Sequence, residues 1–192
     1  MSFAKTIPFL LITLLFIKCG KDDSSKNLLL APNDDWRGEV IEFPLKFAPS
    51  LQYSGTEFIR FAPGWGKENA KDYFSYAFLW DIKDNPKLSA KKLESEMEIY
   101  FNGIMNMVSK SGEKIPESKA FFEKVNETTY AGKVLTYDAF ITKRDLQLNL
   151  IVEQSFCKSR NKHFVLFLLS PQPTEHSIWK KMKKIDFDVQ CN

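Results

Sequence analysis

The stretch "LQLNLIVEQSF" places Leu146, Leu148, Leu150 and Val152 on every second position. Side chains of an extended chain point to opposite faces at each step, whereas a helix repeats every 3.6 residues, so this period requires a strand with one buried face. The preceding "KVLTYDAFI" alternates in the same way, and Lys143 and Arg144 stand between the two runs as a turn. "HFVLFLL", His163 to Leu169, returns after the polar "KSRNK". Three neighbouring strands joined by short turns predict an antiparallel meander.

Upstream, "EVIEFPLKF" puts Ile41, Phe43, Leu45 and Phe47 on one face, and Pro44 marks it as an edge strand because proline cannot donate to a ladder. "TEFIRFAPGWG" reads as a strand closed by a Pro-Gly turn, and "YFSYAFLW", Tyr73 to Trp80, alternates Phe74, Tyr76, Phe78 and Trp80. A helix then separates the two groups of strands. Ser89 is its N-cap, Leu88 and Leu93 form a hydrophobic staple, and Leu93, Met97, Phe101, Ile104 and Val108 recur at helical spacing up to a stop at Gly112. "SPQPTEHSIWKKMKKI" ends the last strand and begins a short C-terminal helix with Trp179, Met182 and Ile185 inward and its lysines in water. The expected fold class is α+β: an antiparallel β-sheet meander packed by one long amphipathic helix and a short C-terminal helix.

That order of elements resembles the Mog1/PsbP-like α/β/α sandwich of small exported bacterial lipoproteins, over about residues 36 to 190. A cystatin-like or NTF2-like curved sheet shares the order, and neither resemblance carries a function by itself.

The first residues have a different character. "IPFLLITLLFI", Ile7 to Ile17, is an unbroken apolar run behind one basic residue, and only after it do charges gather. About 20 apolar residues are needed to span a bilayer, so the run is a secretory signal rather than an anchor. It stops at a cysteine, in "LLFIKCGKDDSS". This resembles a bacterial lipoprotein signal, in which the cysteine is diacylated, becomes the first residue after cleavage and is then N-acylated, typically with palmitate. Phe16 and Lys18 stand where that family prefers Leu and a small residue. The resemblance implies a signal peptide over 1–18, a lipidated Cys19, a flexible tether over 19–35 and one globular domain over 36–192. "KDD", Lys21 to Asp23, is similar to the acidic signal that sends some Gram-negative lipoproteins to the cell surface. The implied address is the bacterial cell envelope, lipid-anchored in the outer membrane and facing the periplasm or the surface.

Removing the signal takes away Lys5 and Lys18, so 27 Lys and Arg against 24 Asp and Glu become 25 against 24. A near-neutral domain is not a nucleic-acid binder by composition. With Cys19 acylated, Cys157 and Cys191 remain as an even pair in an oxidising compartment, and are expected to form a disulfide. No metal site and no cofactor is expected: the chain lacks CxxC, HxxxH, GxSxG and a glycine-rich phosphate loop, and His163 and His176 are its only histidines.

No catalytic residue stands out either, which leaves two functions open. One is a non-catalytic binding or accessory module held at the membrane by its lipid, with an envelope protein or a small ligand as partner. The other is a small exported enzyme, hydrolase-like, whose groups converge only on folding. The stretch best suited to binding is "RFAPGWGKENAKDYFSYAFLW", where Arg60, Trp65, Tyr73 and Tyr76 surround a turn; aromatic and arginine side chains are the usual anchors of recognition surfaces.

Overall fold

The computed structural model describes residues 27–110, 113–187 and 191; the expected signal peptide over 1–18, Cys19, the first part of the expected tether and Gly112 lie outside them. In chain order the elements are β1 (Leu29–Leu30), β2 (Arg37–Glu42), β3 (Gly55–Phe61), β4 (Tyr76–Ile82), α1 (Ala90–Val108), β5 (Lys119–Lys124), β6 (Thr129–Tyr137), β7 (Asp145–Cys157), β8 (Lys162–Ser170), α2 (Ser177–Met182) and β9 (Asp186–Phe187). Seven strands form one sheet in the order β2-β3-β4-β8-β7-β6-β5, antiparallel throughout. The expected α+β class holds, with one long helix and one short C-terminal helix beside a mostly antiparallel sheet.

Two meanders meet at β4 and β8. These central strands bury both faces, so they read as continuous apolar runs. Phe78, Trp80, Val165, Phe167 and Leu169 join the core under α1, while Ala77, Leu79, Phe164, Leu166 and Leu168 join a second core under α2 and the β1–β9 ribbon. Cross-strand partners Phe78 and Phe167 stack with ring centres 4.3 Å apart.

α1 crosses the first face from β4 to β5. Its start is the expected one: the Ser89 hydroxyl accepts from the Lys92 N–H at 3.2 Å. Leu93, Met97, Tyr100, Phe101 and Met105 are buried, and the helix ends at Val108, with Ser109 as its cap. Ile104 and Val108, expected in the stripe, are only partly buried.

Several expected boundaries shift. β2 stops at Glu42 rather than running to Phe47, two residues before Pro44, which has no N–H to give the ladder. It is nevertheless the sheet edge, as Pro44 implied. β4 begins at Tyr76, not Tyr73, because Phe74 takes a left-handed φ of 48° and Ser75 donates back to the Asp72 carbonyl. The strand β5 was not foreseen: Ala120 and Phe122 are its only buried positions.

The tether over 19–35 is corrected from Asn27 onward. Leu29 is fully buried and Trp36 is 3 % exposed. The Asn27 amide donates to the Ile59 carbonyl at 3.1 Å, and β1 pairs with β9. The apolar "NLLLA" thus closes the second core instead of floating in solvent. At the other end of the chain, Cys157 and Cys191 lie at disulfide distance, with Cα atoms 4.9 Å apart.

One glycine lets α1 approach the loop between β2 and β3 closely. A Cβ on Gly103 would stand 1.9 Å from the Phe47 carbonyl oxygen, so helix and loop touch through backbone alone. Glycine to alanine in a helix ordinarily stabilises by about 1 kcal/mol. Here Gly103→Ala is expected to destabilise by about 1–3 kcal/mol, as overpacking does, in denaturant unfolding.

Candidate functional site

The first core is not filled to its edge. Between the C-terminal half of α1 and strands β2 to β4 lies a cavity of about 420 Å³. Ile41, Ile59, Phe61 and Tyr76 form its floor; these alternate residues of β2, β3 and β4 face the helix. Tyr100, Ile104, Met105 and Val108 form the helical wall. Trp65, Phe74 and Phe140 close the side, from the loop between β3 and β4 and from the hairpin between β6 and β7. Only Arg37 and Glu39 bring charge, both at the exposed edge strand.

Two local structures hold the side wall. Trp65 packs against Phe61, Phe140 and Phe74 at ring-centre distances of 4.9, 5.2 and 5.4 Å. The buried Asp138 organises the hairpin that carries Phe140. Its carboxylate accepts from the backbone N–H groups of Phe140 and Ile141 at 3.0 Å each, from that of Thr142 at 2.6 Å and from the Thr142 hydroxyl at 2.7 Å. The Tyr73 hydroxyl donates to the same carboxylate and ties the two loops together. Burial works against the charge of Asp138, but these donors prevail and hold its carboxyl below the usual range. Burial and the bond to Asp138 push the Tyr73 phenol up, so it stays a donor.

The floor rests on a buried carboxyl that the sequence reading did not single out. Glu57 has no exposed surface; Trp80, its cross-strand partner, donates through Nε1 at 2.7 Å and the Tyr100 hydroxyl donates at 3.1 Å. Burial pushes its carboxyl up to about 7, against the pull of those two donors. Tyr100 stacks on Phe78 at 5.0 Å and presents its ring to the cavity, so Glu57 fixes a wall without reaching the space itself.

The structure separates the four residues expected at a binding surface. Trp65 and Tyr76 line the cavity, although Tyr76 is buried rather than exposed. Tyr73 stands behind the wall on Asp138. Arg60 is corrected: it is 8 % exposed, on the opposite face of the sheet, and its Nε donates to the Leu29 carbonyl at 2.7 Å. Strand parity explains this, since Arg60 falls between Ile59 and Phe61, which face α1. Arg37, Phe61, Tyr100 and Phe140 were not foreseen, because they meet only through sheet order and helix packing.

Neither histidine lies in this site. His163 packs on the exposed Phe156 ring at 4.6 Å, and His176 caps α2 by accepting from the Ile178 N–H. Among the described residues no group of three or more His, Cys, Asp or Glu is placed to hold a metal ion. Comparison with family models, with curated proteins and with solved structures finds no match to this chain.

Glu57 makes the stability of the domain depend on pH. Its carboxyl titrates near 4.5 when unfolded and about 7 when folded, so the native state holds the extra proton between these values. Its contribution is full below about 4.5 and is lost as pH rises through 7. Between pH 5 and 8 the native protein is expected to lose on the order of 3 kcal/mol relative to Glu57→Gln, whose amide does not titrate. Urea unfolding of both proteins across that range measures the difference, and parallel curves would exclude Glu57 as its source.

Proposed function

We propose that this chain is a lipid-anchored module of the bacterial cell envelope that binds a small apolar ligand between α1 and the sheet. The carrying observation is the cavity: about 420 Å³, within the usual range for small-molecule sites, lined by seven aromatic rings and with charge only at its rim. In this reading Trp65 and Tyr76 are contact residues and Tyr73 is a support. Arg60 has no part in the site.

The anchor rests on the apolar run that stops at Cys19 and on the polar residues after it. No helix among the described residues is long and apolar enough to cross a membrane. Asn27 is docked on the sheet, so only seven residues, eight Cα steps, separate Cys19 from the folded domain. Fully extended they reach about 28 Å, which keeps the domain beside the bilayer rather than ranging above it. Two or three acyl chains on Cys19 make such attachment effectively permanent. We also read the fold as a Mog1/PsbP-like α/β/α sandwich, supported by α1 on one face of the sheet and α2 on the other.

Two measurements on the exported full-length protein test this reading. Intact mass is expected to show cleavage before Cys19 and acyl chains on it, and Cys19→Ala to leave the detergent phase; an unmodified Cys19 rejects the anchor. Titration with the uncharged fluorophore N-phenyl-1-naphthylamine is expected to saturate at one site. Ile104→Trp, which fills the cavity from the helix, is expected to weaken it by about tenfold or more while unfolding stays cooperative. Binding that does not saturate, or that Ile104→Trp leaves unchanged, rejects the cavity.

A further inference from the structure

We infer that the ligand of this cavity is an amphipathic carboxylate, with an apolar body in the cavity and its carboxylate held at the rim by the Arg37 guanidinium and the Trp65 indole N–H. The inference rests on the cavity being a binding site. It adds the size, polarity and orientation of what binds.

Size comes from the volume. A liquid water occupies about 30 Å³ and a methylene a similar space, so about 420 Å³ accommodates about fourteen non-hydrogen atoms. The walls around most of that space are aromatic or aliphatic, and apart from the hydroxyls of Tyr76 and Tyr100, the latter already bonded to Glu57, they have no hydrogen bond to offer the middle of a ligand. A polar group placed there, beyond the reach of those hydroxyls, would lose its bonds to water without replacement. The body is therefore apolar.

Two donors serve a ligand anion, one at the rim and one behind it. The Arg37 guanidinium lies 4.6 Å over the Phe61 ring and 5.9 Å over the Trp65 ring, two rings of the cavity wall. Its acidic neighbour, Glu39, is 3.5 Å away, and both side chains are about half exposed. Such pairs contribute little, so a ligand anion displaces or shares it at small cost. The second donor is Trp65 Nε1, closed off from water and without an acceptor among the described residues, so that a ligand oxygen meets it as the ring turns on binding. An indole N–H left unpaired is a defect in an otherwise well-bonded interior, and a ligand oxygen repairs it. A carboxylate has one oxygen for each donor. An alcohol or ether serves only one, and an ammonium serves neither and meets Glu39 only against the Arg37 charge beside it.

Dodecanoate has the required size and tests the assignment. In displacement of N-phenyl-1-naphthylamine from the full-length protein, below its micellar concentration, dodecanoate is expected to bind at least about tenfold more tightly than dodecan-1-ol, the value of one charge-assisted hydrogen bond. Arg37→Gln is expected to erase that preference. Trp65→Phe, which keeps a ring and removes the N–H, is expected to weaken dodecanoate several-fold. Glu39→Gln is expected to tighten it, because it removes the competing anion. Equal binding of acid and alcohol, or a preference untouched by Arg37→Gln, overturns the carboxylate while leaving the cavity as a site. Displacement by neither compound overturns a chain-like body, and failure of the fluorophore itself to bind is the separate failure of the cavity reading.

Discussion

The pairing of β4 with β8 is the constraint on which the rest of the structure depends. It joins Tyr76 to Leu169 and Ile82 to His163, residues about eighty to ninety positions apart, and makes one sheet of two meanders. Each meander alone would leave one of these strands with an open edge of continuous apolar sequence, a template for aggregation. Paired, they bury both faces and divide the interior into two cores. The stack of Phe78 between Phe167 and Tyr100 extends the pairing upward into α1. Long-range pairing of this kind is costly in chain entropy until it forms, and then it fixes the whole sheet order at once.

Given that sheet, the position of α1 decides whether a cavity exists. Near its start the helix presents Leu93, Met97 and Phe101, which fill the space above the sheet. Further along, Gly103 meets the Phe47 carbonyl, so one side of the helix is held by backbone against a loop. Ile104 and Val108 then stop short of full burial. The opposite wall is fixed independently, by the Asp138 turn beneath Phe140 and by the rings around Trp65. A space bounded by two separately fixed walls cannot close by a small helix shift, since interiors resist compression. It persists as a consequence of the supports on either side.

Much of this was legible in the chain, and the reason lies in locality. The strands around Leu148, Phe167 and Phe78 and the helix from Ser89 follow from periods and a cap that lie within a few residues of each other. What escaped depends on distant partners. "NLLLAPNDD" has the composition of a linker, and only the presence of β9, Ile59 and the second core turns it into docked structure. The strand "KAFFEK" shows two inward positions, too few to be distinguished from a loop. The site suffered most. Trp65 was recognised because its turn is local, whereas Arg37 acquires meaning only when β2 sets it over Phe61 and Trp65. Arg60 was misplaced by grouping it with a turn, although the strand period would have sent it to the other face.

Glu57 shows how a costly group is used in this arrangement. An aliphatic residue at that position would bury more favourably than a carboxyl, and buried polar groups add little net stability. Yet an aliphatic residue would leave the Trp80 indole N–H and the Tyr100 hydroxyl without an acceptor in the middle of the aromatic core. Those two bonds hold the rings at fixed angles, and Tyr100 is both the partner of Phe78 and a wall of the cavity. The carboxyl therefore converts a stack free to slide into one with a defined register. Its raised pKa follows from that placement: far from water, the carboxyl keeps its proton up to about pH 7 against the pull of its two donors. The ionised carboxylate accepts from both Trp80 and Tyr100, whereas a protonated Glu57 has a hydrogen of its own to give. Through Tyr100 the protonation of Glu57 is thus joined to a wall of the cavity.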